Sequence, residues 1–249
     1  MKTKAALSFR CLFSLLAACH FLLAAPAFAG TEAAPAGAAR EVLSVSWQPG
    51  YCAARPKSRG CQDFSPASPA VKRFSLHNRF EVRNSYCGVE AGLRQRVRKG
   101  KWTELPEITL ASGTRERLLV AMPAARAGLD RRQWLRSGSC VASSAEAYYR
   151  RSLDLLDQLN ASPVPALFAR KDGGVITLVE VRAAFDAAFG PGAGERVRLA
   201  CRKTGDQPVV IGLTIGLAAG EGTLPALIGG AVPVKSRCTE GIAAVAGAR

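Results

Sequence analysis

Among the side chains of this 249-residue chain, His77 is the one best suited to moving a proton near neutrality, because an imidazole titrates close to pH 7. It ends the run Phe74-Ser75-Leu76-His77, in which apolar and polar residues alternate. A period of two reads as a strand and sets His77 on the face opposite Phe74 and Leu76. The only other histidine, His20, lies in an N-terminal apolar run that reads as a removable leader. Acid–base chemistry in the processed chain would therefore have a single imidazole. A lone histidine is as readily structural as catalytic, and both readings stand at this point. Arg94, Arg96, Arg98, Lys99 and Lys101 lie close together and suit either a solvated face or phosphate contacts. Six cysteines follow the leader: Cys52, Cys61, Cys87, Cys140, Cys201 and Cys238. An even count behind an export signal reads as disulfides, with the pairing left open by number alone. Their spacings are not the short paired spacings of a zinc site, and neither metal nor cofactor is expected.

The elements that must position these groups follow from periodicity. Leu43, Val45 and Trp47 alternate with Ser44, Ser46 and Gln48, a half-buried strand ended by Pro49-Gly50. Residues 53–72 read as a loop, and residues 83–107 as a polar, basic stretch. Helical spacing covers roughly Arg115–Val120 and Leu129–Leu135. Ser143 and Glu146 have the spacing of a capping box for a helix running to about Asn160, which Pro163 and Pro165 end. Thr177 and Glu180 have the same spacing ahead of a helix stopped by Gly190-Pro191. Val197, Leu199 and Cys201 alternate, as do Val209, Ile211, Leu213, Ile215 and Leu217. Strands at both ends and helices between them predict an α+β domain with a mainly antiparallel sheet.

The N-terminus reads as a signal peptide over residues 1–29. Lys2, Lys4 and Arg10 precede an apolar run from Cys11 to about Ala25, and Ala27-Phe28-Ala29 gives an A-x-A cleavage pattern. The same run also admits an uncleaved anchor, although it is shorter than the ~20 residues of a spanning helix. Leu16-Ala17-Ala18-Cys19 admits a lipoprotein signal. Residues 30–41 read as a flexible segment and 42–249 as one domain. No later stretch reads as a membrane span. The exported chain is expected in the periplasm or outside the cell, as a monomer. The formal net charge of +15 favours RNA or another polyanion as partner.

Three landmarks stand in order: Leu43-Ser-Val-Ser-Trp47-Gln-Pro-Gly-Tyr-Cys52, then Phe74-Ser-Leu-His77, then Trp134-Leu-Arg136-Ser137-Gly138-Ser-Cys140. Together they resemble the ribonuclease T2 family in its bacterial periplasmic branch, over most of residues 42–240. The family pairs the strand motif F-T-x-H-G-L-W-P with the helix motif H-E-W-x-K-H-G-x-C. The resemblance implies a T2-like α+β fold and the disulfides Cys52–Cys61, Cys87–Cys140 and Cys201–Cys238. It also implies a metal-free transesterification that yields 2′,3′-cyclic phosphate ends. His77 is kept as the acid/base candidate. Asn78, Arg79, Phe80 and Glu81 stand where the family has G-L-W-P. Arg132 stands for the first helix histidine, Gln133 for the glutamate, Arg136 for the lysine and Ser137 for the second catalytic histidine.

These departures bear on the chemistry. One group must take the 2′-proton and another must protonate the leaving 5′-oxygen, and a serine hydroxyl does not titrate in that range. Losing one such partner typically costs roughly 10²–10⁴-fold in rate. Arg136 keeps the charge and a guanidinium fork that fits phosphate. Arg79 and Arg132 would add to a basic floor, and Phe80 would stack on a base or sit in the core. The expectation is an exported T2-type protein that binds RNA with cleavage weakened or lost. The alternatives are an active endoribonuclease using His77 with Arg136, and a non-catalytic envelope protein.

Overall fold

The computed structural model describes residues 41–62 and 64–247. The signal peptide expected over residues 1–29, with its cleavage pattern and Cys19, lies outside the described residues. Six strands form one sheet: β1 (Glu41–Trp47), β2 (Phe74–Glu81), β3 (Val175–Thr177), β4 (Val197–Thr204), β5 (Gln207–Leu217) and β6 (Glu240–Ile242). The order is β2-β1-β5-β6-β3, with β4 on the other edge of β5. All pairings are antiparallel except the short one between β5 and β6. The helices are α1 (Gln48–Ala54), α2 (Ala91–Arg98), α3 (Ser112–Ala121), α4 (Leu129–Arg136), α5 (Ala145–Ala161), α6 (Val164–Arg170), α7 (Leu178–Phe189) and α8 (Leu224–Gly229). This is the α+β architecture with a mainly antiparallel sheet that the order of elements predicts.

Leu43, Val45 and Trp47 of β1 lie on one face and are buried in the main core, which also holds residues of α5 and α6. Trp47 packs on Phe74 and Phe168, with ring centroids at 5.6 and 5.2 Å, and its indole N–H donates to the Ala244 carbonyl at 3.0 Å. It is a core residue held at both its apolar and its polar end. Helix α1 begins where β1 ends, and Pro49 opens it rather than ending the strand in a loop. Gly50 lets α1 lie directly on β5: a Cβ there would come within 2.0 Å of the Val210 carbonyl oxygen.

Three disulfides join Cys52–Cys61, Cys87–Cys140 and Cys201–Cys238, the pairs that the resemblance implies. The Thr177–Glu180 capping box forms as its spacing predicts. At α5 the cap is Ser144 instead of Ser143. The shift of one residue places Glu146 too early to reach back, and it accepts hydrogen bonds from Thr114 and the Ala111 N–H instead. Pro163 follows α5, but Pro165 lies inside the first turn of α6, where its missing N–H costs nothing.

Two irregularities break the alternation. Along β2, Leu76 pairs with Val45 and Asn78 with Ser44, so His77 is an extra residue without a cross-strand partner, a β-bulge. Along β5, Val210 pairs with Cys201 and Gly212 with Ala200, so Ile211 is extra. In consequence Val210 is fully buried in the main core, whereas Ile211 is only half-buried.

Candidate functional site

The bulge sets where each side chain of β2 points. Arg79 lies two residues after His77 and would share its face in a regular strand. The extra residue turns it to the opposite face, as the partner of Leu43. There Arg79 is buried, paired with Glu41, bonded to Ser152 and stacked over the Tyr148 ring at 5.5 Å. The Tyr148 hydroxyl donates to the Arg79 carbonyl at 2.7 Å. Arg79 thus lies away from His77 and holds β2 to α5. Phe80 is half-buried opposite Val42 and does not line the cleft described next.

His77 opens onto a cleft of about 670 Å³. Its wall comes from the end of α1 and the loop behind it (Tyr51, Arg55, Lys57, Arg59), from Trp102, from Leu129 and Arg132 of α4, and from Arg202 of β4. Among the described residues, five cationic side chains line it and no carboxylate does. The Cys52–Cys61 disulfide closes the loop that carries Arg55, Lys57 and Arg59. Arg59 and Arg132 both stack on Trp102, with guanidinium carbons 5.1 and 5.0 Å from the ring centroid. Stacking uses the guanidinium face; one edge nitrogen of Arg59 donates to the Gly100 carbonyl and one of Arg132 to Gln133, and the N–H groups left over suit an in-plane acceptor such as phosphate.

Helix α4 supplies the rest through its period. Leu129, Gln133 and Ser137, four apart, form its buried line. The Gln133 amide donates to the His77 carbonyl at 3.2 Å and accepts from Arg132 at 3.1 Å. It ties the bulge to α4 and orients one guanidinium of the cleft. Ser137 is buried at the C-cap of α4 and does not line the cleft. Arg136 is exposed one turn beyond Arg132, outside the cleft wall but near enough for its charge to act on His77. Gly138 makes room for the Trp134 ring, which a Cβ would approach to 2.5 Å. The Trp134–Gly138–Cys140 spacing is therefore set by packing.

Burial is the main cause that lowers the pKa of His77 from 6.5 to about 4; the charges of Arg132, Arg55 and Arg136 lower it further. At neutral pH the imidazole is uncharged. It can accept a proton but has none to give as an imidazolium.

Of the residues singled out from sequence, the structure brings His77, Gln133 and Arg132 together, with Arg136 at the margin. Ser137, Arg79 and Phe80 lie apart from the cleft. Tyr51, Arg55, Lys57, Arg59, Trp102 and Arg202 escape a sequence reading. The one available signal was the alternation of cations at 55, 57 and 59 inside a short loop bounded by cysteines.

No protein-family model matches the chain, and no curated protein matches it. Solved structures do. The Nicotiana alata self-incompatibility SF11-RNase is 15% identical, over 70% of this chain and 84% of that one, with a TM-score of 0.48. RNase NT, solved in complex with 5′-AMP, is 15% identical over 82% and 96%, with a TM-score of 0.47. Actibind, described as a T2 ribonuclease, is 11% identical over 82% and 85%, with a TM-score of 0.45. Among the described residues, no helix is long and apolar enough to cross a membrane, and no cluster of ligands suits a metal ion.

Proposed function

We propose that this chain is an exported protein of the ribonuclease T2 type that binds RNA in the His77 cleft, with cleavage strongly reduced. The observation that carries the reading is a neutral imidazole in a cleft lined, among the described residues, by five cations and no carboxylate. The cations suit phosphodiesters, and their N–H edges supply the donors that phosphate oxygens need. The imidazole can take a 2′-proton. Among the described residues no second imidazole and no carboxyl group lines the cleft to protonate the 5′-oxygen near neutrality, so the leaving group departs slowly. Arg132 takes the part in phosphate binding that the sequence motif assigns to Arg136. The three disulfides fit an oxidising compartment.

The test uses the oxidised protein and RNA in the presence of a chelator. Expected are salt-sensitive binding, with log affinity falling linearly with log salt, and only traces of 2′,3′-cyclic phosphate ends. Rapid cyclic-phosphate production that disappears in His77→Ala would overturn the loss of catalysis. Absence of RNA binding at low salt would overturn the reading as a whole.

A further inference from the structure

Beyond the cleft, a second basic surface begins where its wall ends. The Gly100 backbone lines the cleft and accepts a hydrogen bond from Arg59 at 3.1 Å. Immediately before it, α2 runs into the turn Lys99-Gly100. Leu93 is half-buried and Val97 buried, while Arg94, Arg96, Arg98 and Lys99 are exposed. Among the described residues none of these four cations is in a salt bridge; Lys101 just beyond pairs with Glu104 at 3.2 Å. Arg94 is partly used, its Nε donating to the Val89 carbonyl. Among the described residues Arg96, Arg98 and Lys99 make no side-chain hydrogen bond, and they stand within four residues of Gly100 of the cleft wall.

We infer that α2 is a track for the phosphodiester backbone of a single-stranded RNA longer than the cleft can hold. The inference rests on RNA occupying the cleft, and adds that the chain grips the flanking nucleotides through Arg96, Arg98 and Lys99. Two features favour RNA over a lipid surface. The exposed face of α2 carries cations without apolar anchors, since Leu93 and Val97 turn inward, whereas a membrane-lying helix needs an apolar face for the acyl boundary. The cations also stand next in the chain to a cleft whose described wall carries five cations and no carboxylate, so a strand leaving the cleft past Gly100 would meet a second basic surface.

The experiment compares a tetranucleotide with an RNA of about 24 nucleotides, for the wild type and the triple variant Arg96→Gln, Arg98→Gln, Lys99→Gln. Each single-strand phosphate contact contributes about 0.7 to the slope of log affinity against log salt, so removal of three lowers that slope by about 2 for the long RNA. The tetranucleotide affinity should not change. A variant with Arg96→Lys and Arg98→Lys keeps the charge and should keep the slope. Unchanged long-RNA slope in the triple variant, with the tetranucleotide still bound, overturns the track. Long RNA bound through α2 while the tetranucleotide fails to bind supports the track and overturns the cleft reading. Loss of binding to phosphatidylglycerol vesicles with RNA binding intact overturns RNA as the ligand of α2.

Discussion

Lowering the pH from 7 to 4 should weaken the fold through His77 by an amount the site geometry sets. The folded protein holds this imidazole neutral down to about pH 4, because burial and then the charges of Arg132, Arg55 and Arg136 oppose its protonation. The unfolded chain takes up that proton near 6.5. Between those values the unfolded state binds more protons, so acid favours unfolding. The stabilisation is fully present above 6.5 and is lost as pH falls towards 4. A displacement from 6.5 to about 4, at 1.36 kcal/mol per pH unit, corresponds to about 3 kcal/mol. Urea unfolding of the wild type and of His77→Gln, at pH 7 and pH 4, isolates this contribution, since the carboxylates titrate alike in both. The stability difference between the two proteins should shift by about 3 kcal/mol, with the wild type losing more in acid. Imidazole resonances followed by NMR give the pKa itself. Arg132→Gln should raise it, yet leave it below 6.5, because burial is the larger cause. A pKa at or above 6.5 in the wild type, or a stability difference independent of pH, would refute the reasoning.

Other outcomes follow from the same geometry. Arg132→His places a second imidazole on the cleft wall and removes a charge that opposes protonation of His77; cyclic-phosphate production, measured on a labelled oligonucleotide, should rise about 10²-fold. Ser137→His, at a buried helix cap off the cleft, should give no such gain. Replacement of Cys52 and Cys61 by serine should cost about 2–3 kcal/mol in denaturant unfolding and weaken RNA binding in filter assays, because the loop bearing Arg55, Lys57 and Arg59 is released. Glu41→Gln leaves the buried Arg79 guanidinium without its counter-charge and should destabilise the protein by roughly 3–5 kcal/mol, with little change in RNA affinity at temperatures where it stays folded.

The elements with uninterrupted periodicity were legible. Leu43-Val45-Trp47 alternates, Thr177 and Glu180 cap, and Gly190 stops α7, because each signal is local and burial reinforces it. Helix α2 was not legible: its apolar residues are Leu93 and Val97 alone, too few for an amphipathic period, and α4 supplies the packing surface that a sequence does not display. Helix α6 was hidden behind Pro165, which reads as a breaker but sits in the first turn.

The site shows the deeper limit. The period of two that sets His77 opposite Phe74 and Leu76 would, carried two residues on, join Arg79 to it, and both statements hold only for a regular strand. A bulge of one residue keeps the first and reverses the second, since every side chain beyond it changes face. Nothing in Leu76-His77-Asn78 announces that bulge; it exists because β1 runs on without an extra residue between Ser44 and Val45. The reversal has two effects at once. Arg79 goes to the core side, where Glu41 and Tyr148 hold it, and His77 opens onto a cleft with Arg132 in its wall. The cations that do face His77 come from a disulfide loop, from α4 and from the far strand β4, segments distant in the chain that meet only in the fold. Burial, and then the charges of Arg132, Arg55 and Arg136, keep the imidazole uncharged, so two of the cations that line the cleft also work against an acid there. Under the proposed function, binding and catalysis are thus opposed at Arg132, and a gain in one by changing it should be read against a loss in the other.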